Sequence, residues 1–374
     1  MIRFVDEFRS KKAALYLAGE IRSIMPGGNV SYMEICGGHT LTAVRYGLHG
    51  LLPENLHLKS GPGCPVCVTS QDYIDAAVAL SGREDTVIAS FGDMLKVPGA
   101  TGTLLEARSA GRDVRVCLSP LEAVEMAARS PDKEVIFLGI GFETTAPAVA
   151  MAILTARERN LENFSVLTAL KTMPAAMAAL VDGQAIGLNG FICPGHVTAV
   201  AGARMYERFV SSYRLPCVIS GFEPTDMLGS VLMLLRQTVE GRAEIEIEYT
   251  RAVTTAGNNV AQQAVAEVFQ PVDASWRGLG VIPGSGLACA GPYAAFDAGK
   301  KFPISLPASA DPPGCRCGDV MRGLLDPPSC PLFGRGCTPE RPIGACMVSA
   351  EGACGIHFRY GSAPSAPDRG NETL

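Results

Sequence analysis

The 374-residue chain lacks most of the short signatures that betray an activity. It has no G-x-x-x-x-G-K-[ST] phosphate loop, and its GIGFE run at 139–143 lacks the third glycine of a dinucleotide fingerprint. No G-x-S-x-G elbow is present for a serine hydrolase. No run of eighteen apolar residues occurs, so no membrane span is expected. The opening MIRFVDEFRSKK is charged and lacks the apolar core of a signal peptide. Net charge is −5 with both signs interspersed; without a basic stripe, nucleic acid is not an expected partner. Tryptophan is scarce too, with Trp276 as the single example.

Cysteine is abundant. Thirteen cysteines in a chain with no sign of export predict a reducing cytoplasm, with some thiols serving as ligands or redox groups. The length, with 47% hydrophobic and 18% charged residues, predicts two or three domains, each able to bury a core. Glycine (41) and proline (26) gather in short motifs, which points to tight functional turns.

Six of the thirteen cysteines fall between Cys315 and Cys354. Cys315, Cys330, Cys337 and Cys354 are separated by fourteen, six and sixteen residues, with Cys317 and Cys346 between them. Zinc sites usually bring ligands in two close pairs, and the one close pair here, Cys315 and Cys317, makes a poor knuckle. Single cysteines in Pro- and Gly-rich loops favour a 4Fe–4S cluster over zinc, and both over inert buried thiols. Spacing alone leaves open which four of the six are ligands.

Elsewhere, strands alternate with helices. Apolar, β-branched runs near 30–35, 86–91, 113–118, 135–140, 164–169, 190–193 and 217–220 read as buried strands. Helical periodicity covers 4–25, 40–46, 70–80, 146–159 and 226–240. In SPLEAVEMAA, Ser119 is a good N-cap, Pro120 fits the first helical position and Glu122 completes a capping box. The alternation predicts an α/β fold: two α/β domains with mainly parallel sheets flanked by helices, plus a small, loop-rich C-terminal domain. The expected borders are 1–130 for the first domain, with a possible return at about 242–275, then 131–241, then 276–374. The stretch 306–314 reads as a linker and the tail after Tyr360 as disordered.

Three motifs carry chemistry. MEICGGHT (33–40) sets Cys36 at a strand end before two glycines that let a ligand approach, with His39 as base or supporting partner. GPGCPVC (61–67) sets Cys64 and Cys67 in a C-x-x-C ahead of a helix whose dipole favours a thiolate. Without a second close pair, a dithiol/disulfide switch is favoured over half a zinc site. CPGHV (193–197) brings Cys193 and His196 to another strand end, either into the same cleft or simply as a turn. Glu143, Glu223 and Asp93 also fall at strand ends, as site residues or as helix N-caps. Cys117, Cys217 and Cys289 lie in apolar runs and read as core.

Together MEICGGHT, GPGCPVC, GFETTAP, CPGHV and CRCG…CPLFG…CTPE…CMVSAEGAC resemble, in order from about residue 4 to residue 360, the HypD family of nickel–iron hydrogenase maturation proteins. The resemblance implies a scaffold with a redox role, which with HypC holds an iron bearing two cyanides and one carbon monoxide. Cyanide would arrive from HypE, itself supplied by HypF, and HypC would pass the finished unit to the hydrogenase large subunit. It also implies that Cys36 ligates the nascent iron beside His39, that Cys64 and Cys67 form the redox dithiol, and that Cys315, Cys330, Cys337 and Cys354 hold the 4Fe–4S cluster, leaving Cys317 and Cys346 aside. Electrons would pass from the cluster through Cys64 and Cys67 to the iron on Cys36. The alternative is a stand-alone iron–sulfur reductase of a small molecule that uses the same dithiol; a third is a redox-sensing module that only docks other proteins.

Overall fold

In this computed structural model, residues 6–183, 187–304 and 312–361 are described. Most of the expected 306–314 linker and all of the tail beyond residue 361 lie outside them.

Two parallel sheets form the body. The first contains β1 (Val30–Glu34), β2 (Leu56–Ser60), β7 (Gly190–Pro194), β8 (Cys217–Ser220) and β9 (Ile245–Ile247), in the order β2-β1-β7-β8-β9. The second contains β3 (Thr86–Ser90), β4 (Val114–Val116), β5 (Glu134–Gly141) and β6 (Phe164–Leu170), in the order β4-β3-β5-β6. Every pairing within both sheets is parallel. Such sheets are covered on both faces, which explains why β1, β3, β7 and β8 are buried at every position and read as continuous apolar runs.

The strand run differs from the expected borders in one respect. Residue 130 lies between β4 and β5 of one sheet, so the second sheet is a single insertion between β2 and β7 of the first. Local pattern marks a parallel strand but not its partner across a crossover. Within 243–250 the three-residue edge strand β9 pairs with β8 in the sheet of β1.

An antiparallel hairpin follows, β10 (Phe269–Trp276) and β11 (Gly280–Cys289). The IPGSG segment (282–286), whose Pro and Gly read as a turn, lies within β11, where Gly284 has φ 63° and the ladder is irregular. The hairpin docks on the second sheet: Thr168 Oγ1 donates to the Leu287 carbonyl at 2.8 Å, and Trp276 Nε1 donates to Ser285 Oγ at 2.7 Å inside the core.

Helix ends show how sequence sets boundaries. Ser119 caps Pro120–Arg129 by accepting from the Leu121 N–H, but Glu122 reaches back to the Leu118 N–H instead of closing the expected box. True capping boxes form at Thr103/Glu106 and Glu223/Asp226. Asp226 is fully buried and accepts both arms of Arg251, at 3.0 and 2.5 Å. Glu223 also pairs with Arg9, at 2.5 and 2.8 Å, which ties the N-terminal segment to helix Pro224–Glu240. Glu223 is therefore a structural cap, one of the two roles open to it from sequence.

The cysteine-rich segment packs against the first sheet. A side chain on Gly323 would meet Met33 and Lys59, and one on Gly37 would collide with the Glu351 carbonyl. Cys64, Cys67, Cys317, Cys337, Cys346 and Cys354 share one core cluster with Met33, Ile35 and Trp276.

Candidate metal centre

Cys36 follows β1 and is the N-cap of helix Gly37–Arg45, accepting from the Gly38 N–H at 3.3 Å. The Gly37 N–H donates to the Gly63 carbonyl at 3.3 Å, and any side chain on Gly63 would strike the Cys36 backbone. The two glycine motifs thus exist to press the CGGH and GPGCPVC loops together. An N-cap position favours a thiolate, yet burial wins: the Cys36 thiol, 4% exposed and near the Glu351 carboxylate, is pushed up to about 12. Without a bound cation it stays protonated at neutral pH.

His39 is fully buried and stacks on Phe222, centroids 4.7 Å apart, while His196 meets the same ring edge-on at 5.0 Å. CPGHV therefore does reach the cleft of CGGH. Neither His39 nitrogen makes a hydrogen bond of good geometry among the described residues, and burial, then His196, push its pKa down to about 3. A desolvated imidazole of this kind is neutral at neutral pH, keeping one N–H, and of the two roles open to it from sequence its stacking on Phe222 favours the supporting one. Beneath it Glu34, also buried, accepts from Thr40 Oγ1 at 2.7 Å and is raised by burial to about 7.

Cys64 and Cys67 are joined in a disulfide at the start of the one-turn helix Pro65–Val68. Both are buried, at 5% and 1% exposure, so their chemistry is shielded from solvent thiols. Cys67 Sγ lies 3.9 Å from the carbonyl of Ala345, the residue before Cys346. The C-x-x-C therefore sits between Cys36 and the terminal thiols.

In the terminal region, the sulfurs of Cys317, Cys346 and Cys354 all lie within 4.8 Å of one another and are buried. The Cys317 and Cys354 thiols hydrogen-bond Cys346 and hold its pKa well below the usual range; the Cys354 N–H adds a 3.3 Å bond. Cys315 and Cys337 flank this group. A carbon on Gly344 would come within 2.5 and 2.7 Å of the Cys317 and Cys315 sulfurs, and the Ile343 N–H donates to Cys337 Sγ at 3.3 Å. Cys330 follows the turn Pro327–Ser329 and is not part of the three-sulfur group. Of the four cysteines singled out by resemblance, Cys354 is in the group, Cys315 and Cys337 border it, and Cys330 is not in it. Cys317 and Cys346, set aside earlier, complete it. Buried sulfurs at this density, with backbone N–H groups aimed at two of them, suit a soft metal or an iron–sulfur centre.

Cys117, Cys217 and Cys289 are core residues, each 1% exposed or less. Two participants escaped the sequence reading, Phe222 and Glu351. Phe222 precedes the strand-end Glu223 and Glu351 lies in CMVSAEGAC, but only the fold carries them to Cys36.

No helix among the described residues is long and apolar enough to cross a membrane. Residues 12–361 match the family model described as "HypD: Hydrogenase formation hypA family". The chain is 44% identical over 369 residues to the hydrogenase maturation factor HypD of Rhizobium leguminosarum bv. viciae, covering 96% of each chain. It is 44% identical to that of Rhodobacter capsulatus, covering 98% of this chain and 100% of the relative, and 40% identical to that of Escherichia coli (strain K12), covering 96% and 98%. Those matches span the cysteine motifs at both ends of the fold, and the chain belongs to the HypD family of hydrogenase maturation factors.

Proposed function

We propose that this chain is the scaffold on which the iron–dicyano–carbonyl unit of nickel–iron hydrogenase is assembled, in the cytoplasm, jointly with a HypC-type small protein and with cyanide supplied by a HypE-type donor. The observation that carries the reading is the convergence of three sulfur sites: Cys36, the Cys64–Cys67 pair and the terminal cysteines.

The iron is cargo. Cys36 would bind it through Sγ, sharing it with a cysteine of the small partner. A soft thiolate raises electron density at iron, which cyanide and carbon monoxide require. Because burial keeps the free thiol protonated, loading the cargo displaces one proton from Cys36. His39 and Phe222 keep the pocket dry and fix the loop. Reducing the Cys64–Cys67 disulfide takes up two electrons and two protons, so this pair can hold a reducing equivalent next to the cargo.

The terminal region would hold a 4Fe–4S cluster through Cys315, Cys330, Cys337 and Cys354, with Cys317 and Cys346 as thiols packed against it. A sulfur-only donor set suits that group; Cys337 and Cys354 are buried, Cys315 and Cys330 half-buried, and the three sulfurs gathered within 4.8 Å are Cys317, Cys346 and Cys354. When bound, such a cluster supplies one-electron transfer. Cys67→Ala tests the reading: cluster absorbance is expected to persist while formation of the cyanide-bearing complex stops. Normal hydrogenase maturation by that variant would overturn the role given to the dithiol.

A further inference from the structure

A cavity of about 830 Å³ opens beside Trp276, with no cysteine in its lining. It lies between helix Gln71–Leu80, the end of β6 and the β10–β11 hairpin. Lys171, immediately after β6, lines it and is only 3% exposed. Its ammonium forms no hydrogen bond or ion pair among the described residues; its nearest aromatic contact is the Trp276 ring, 5.6 Å from Nζ to the centroid. The charge of Asp72 reaches it, but Asp72 is exposed and forms no ion pair with it, and a buried cation without a hydrogen-bonded carboxylate is costly.

Two other features face the same space. Helix Gln71–Leu80, ten residues long, begins at Ser70, whose side chain caps none of the first-turn N–H groups. A helix N-terminus attracts anions, and Asp72 already stands in this first turn. The buried Arg277 guanidinium forms another part of the wall, anchored to the carbonyls of Thr69 and Pro98. Asp72 and Asp273 also border the cavity, so the arrangement selects for a ligand small enough to reach Lys171 rather than for any polyanion.

We propose that this cavity binds a small anionic molecule, a phosphate or a carboxylate, seated by its anionic group on Lys171 and the start of helix Gln71–Leu80. The site is separate from the sulfur centres and does not depend on the reading of them. Trp276, the one tryptophan of the chain, is a built-in reporter.

The test titrates the full-length, anaerobically purified protein with sodium phosphate and, separately, sodium succinate at constant ionic strength, following Trp276 emission. A saturable change is expected with one of them below about 10 mM, and Lys171→Met should weaken it ~10-fold or more. Saturation by phosphate alone assigns a phosphoryl group; saturation by succinate alone assigns a carboxylate. Asp72→Asn, at an exposed position, should tighten the same binding ~3-fold by removing a competing charge, and keeps the test alive if the lysine variant misfolds. No saturable change with either anion, wild-type affinity in Lys171→Met, or no tightening in Asp72→Asn would overturn the proposal.

Discussion

The carboxyl ends of β1, β2, β7 and β8 lead into Cys36, the Cys64–Cys67 pair, His196 and Phe222. Those of β3, β4, β5 and β6 lead into Asp93, Ser119, Glu143 and Lys171. One sheet presents sulfur and aromatic rings, the other hard charged groups and a helix cap. Both are parallel sheets with both faces covered, and open α/β sheets place their sites at these ends. Fold alone therefore does not explain the difference. Donor chemistry does: the terminal cysteines dock against the first sheet, so its edge faces a buried, low-dielectric pocket where thiols and iron are compatible. The second sheet meets a polar cavity instead.

The comparison can be sharpened by experiment. The largest effect belongs to the sulfur side. Cys354→Ala should remove nearly all cluster absorbance, because Cys354 belongs both to the ligand set implied by resemblance and to the observed three-sulfur group. Cys330→Ala and Cys346→Ala then separate the two sets. The proposed ligands require loss in Cys330→Ala and retention in Cys346→Ala; the reverse would hand the site to Cys317, Cys346 and Cys354.

A carboxylate on the first-sheet side should prove structural. Asp226→Ala strips the buried partner from Arg251 and breaks a capping box, at a cost of about 3 kcal/mol in chemical denaturation. Removing Asp85 from its exposed pair with Arg83 should change nothing measurable.

Glu143 makes the opposite case on the second sheet. One of its oxygens accepts from the Met173 N–H at 2.7 Å, the other is buried without a partner, and burial raises its pKa to about 7. Its folded pKa exceeds the unfolded one, so the folded state binds the proton more tightly. Stability linked to Glu143 is full below pH 4.5 and falls as pH rises to about 7. Glu143→Gln should therefore stabilise the protein at pH 8, by about 2 kcal/mol, and leave it unchanged at pH 4.5. Equal effects at both pH values would remove the charge from the explanation. Smaller, but still measurable, is the effect of Ser119→Ala, a lost N-cap worth about 1 kcal/mol.

Seven of the parallel strands were readable to within two residues because buried parallel strands are short apolar runs, but β2 was missed because His57 and Lys59 interrupt its apolar run. Their sheet membership was not, since nothing local in 86–118 says that it pairs with 134–170. The hairpin was hidden by IPGSG, which reads as a turn although β11 runs through it. At the site, Cys36, Cys64 and Cys67 stood out because glycines flank them for close approach. Phe222 and Glu351 did not, because each is an ordinary residue until long-range packing brings it to Cys36. The protonation of His39 and Cys36 was equally invisible, because burial sets it and burial is a property of the fold.

The most direct test of the scaffold is an infrared spectrum of the anaerobically purified protein, co-expressed with its small partner and the cyanide-supplying proteins. The account expects bands in the metal-bound cyanide and carbonyl region, and their loss in Cys36→Ala with the cluster intact. Absence of the bands from the wild-type complex, or their survival in Cys36→Ala, would contradict it.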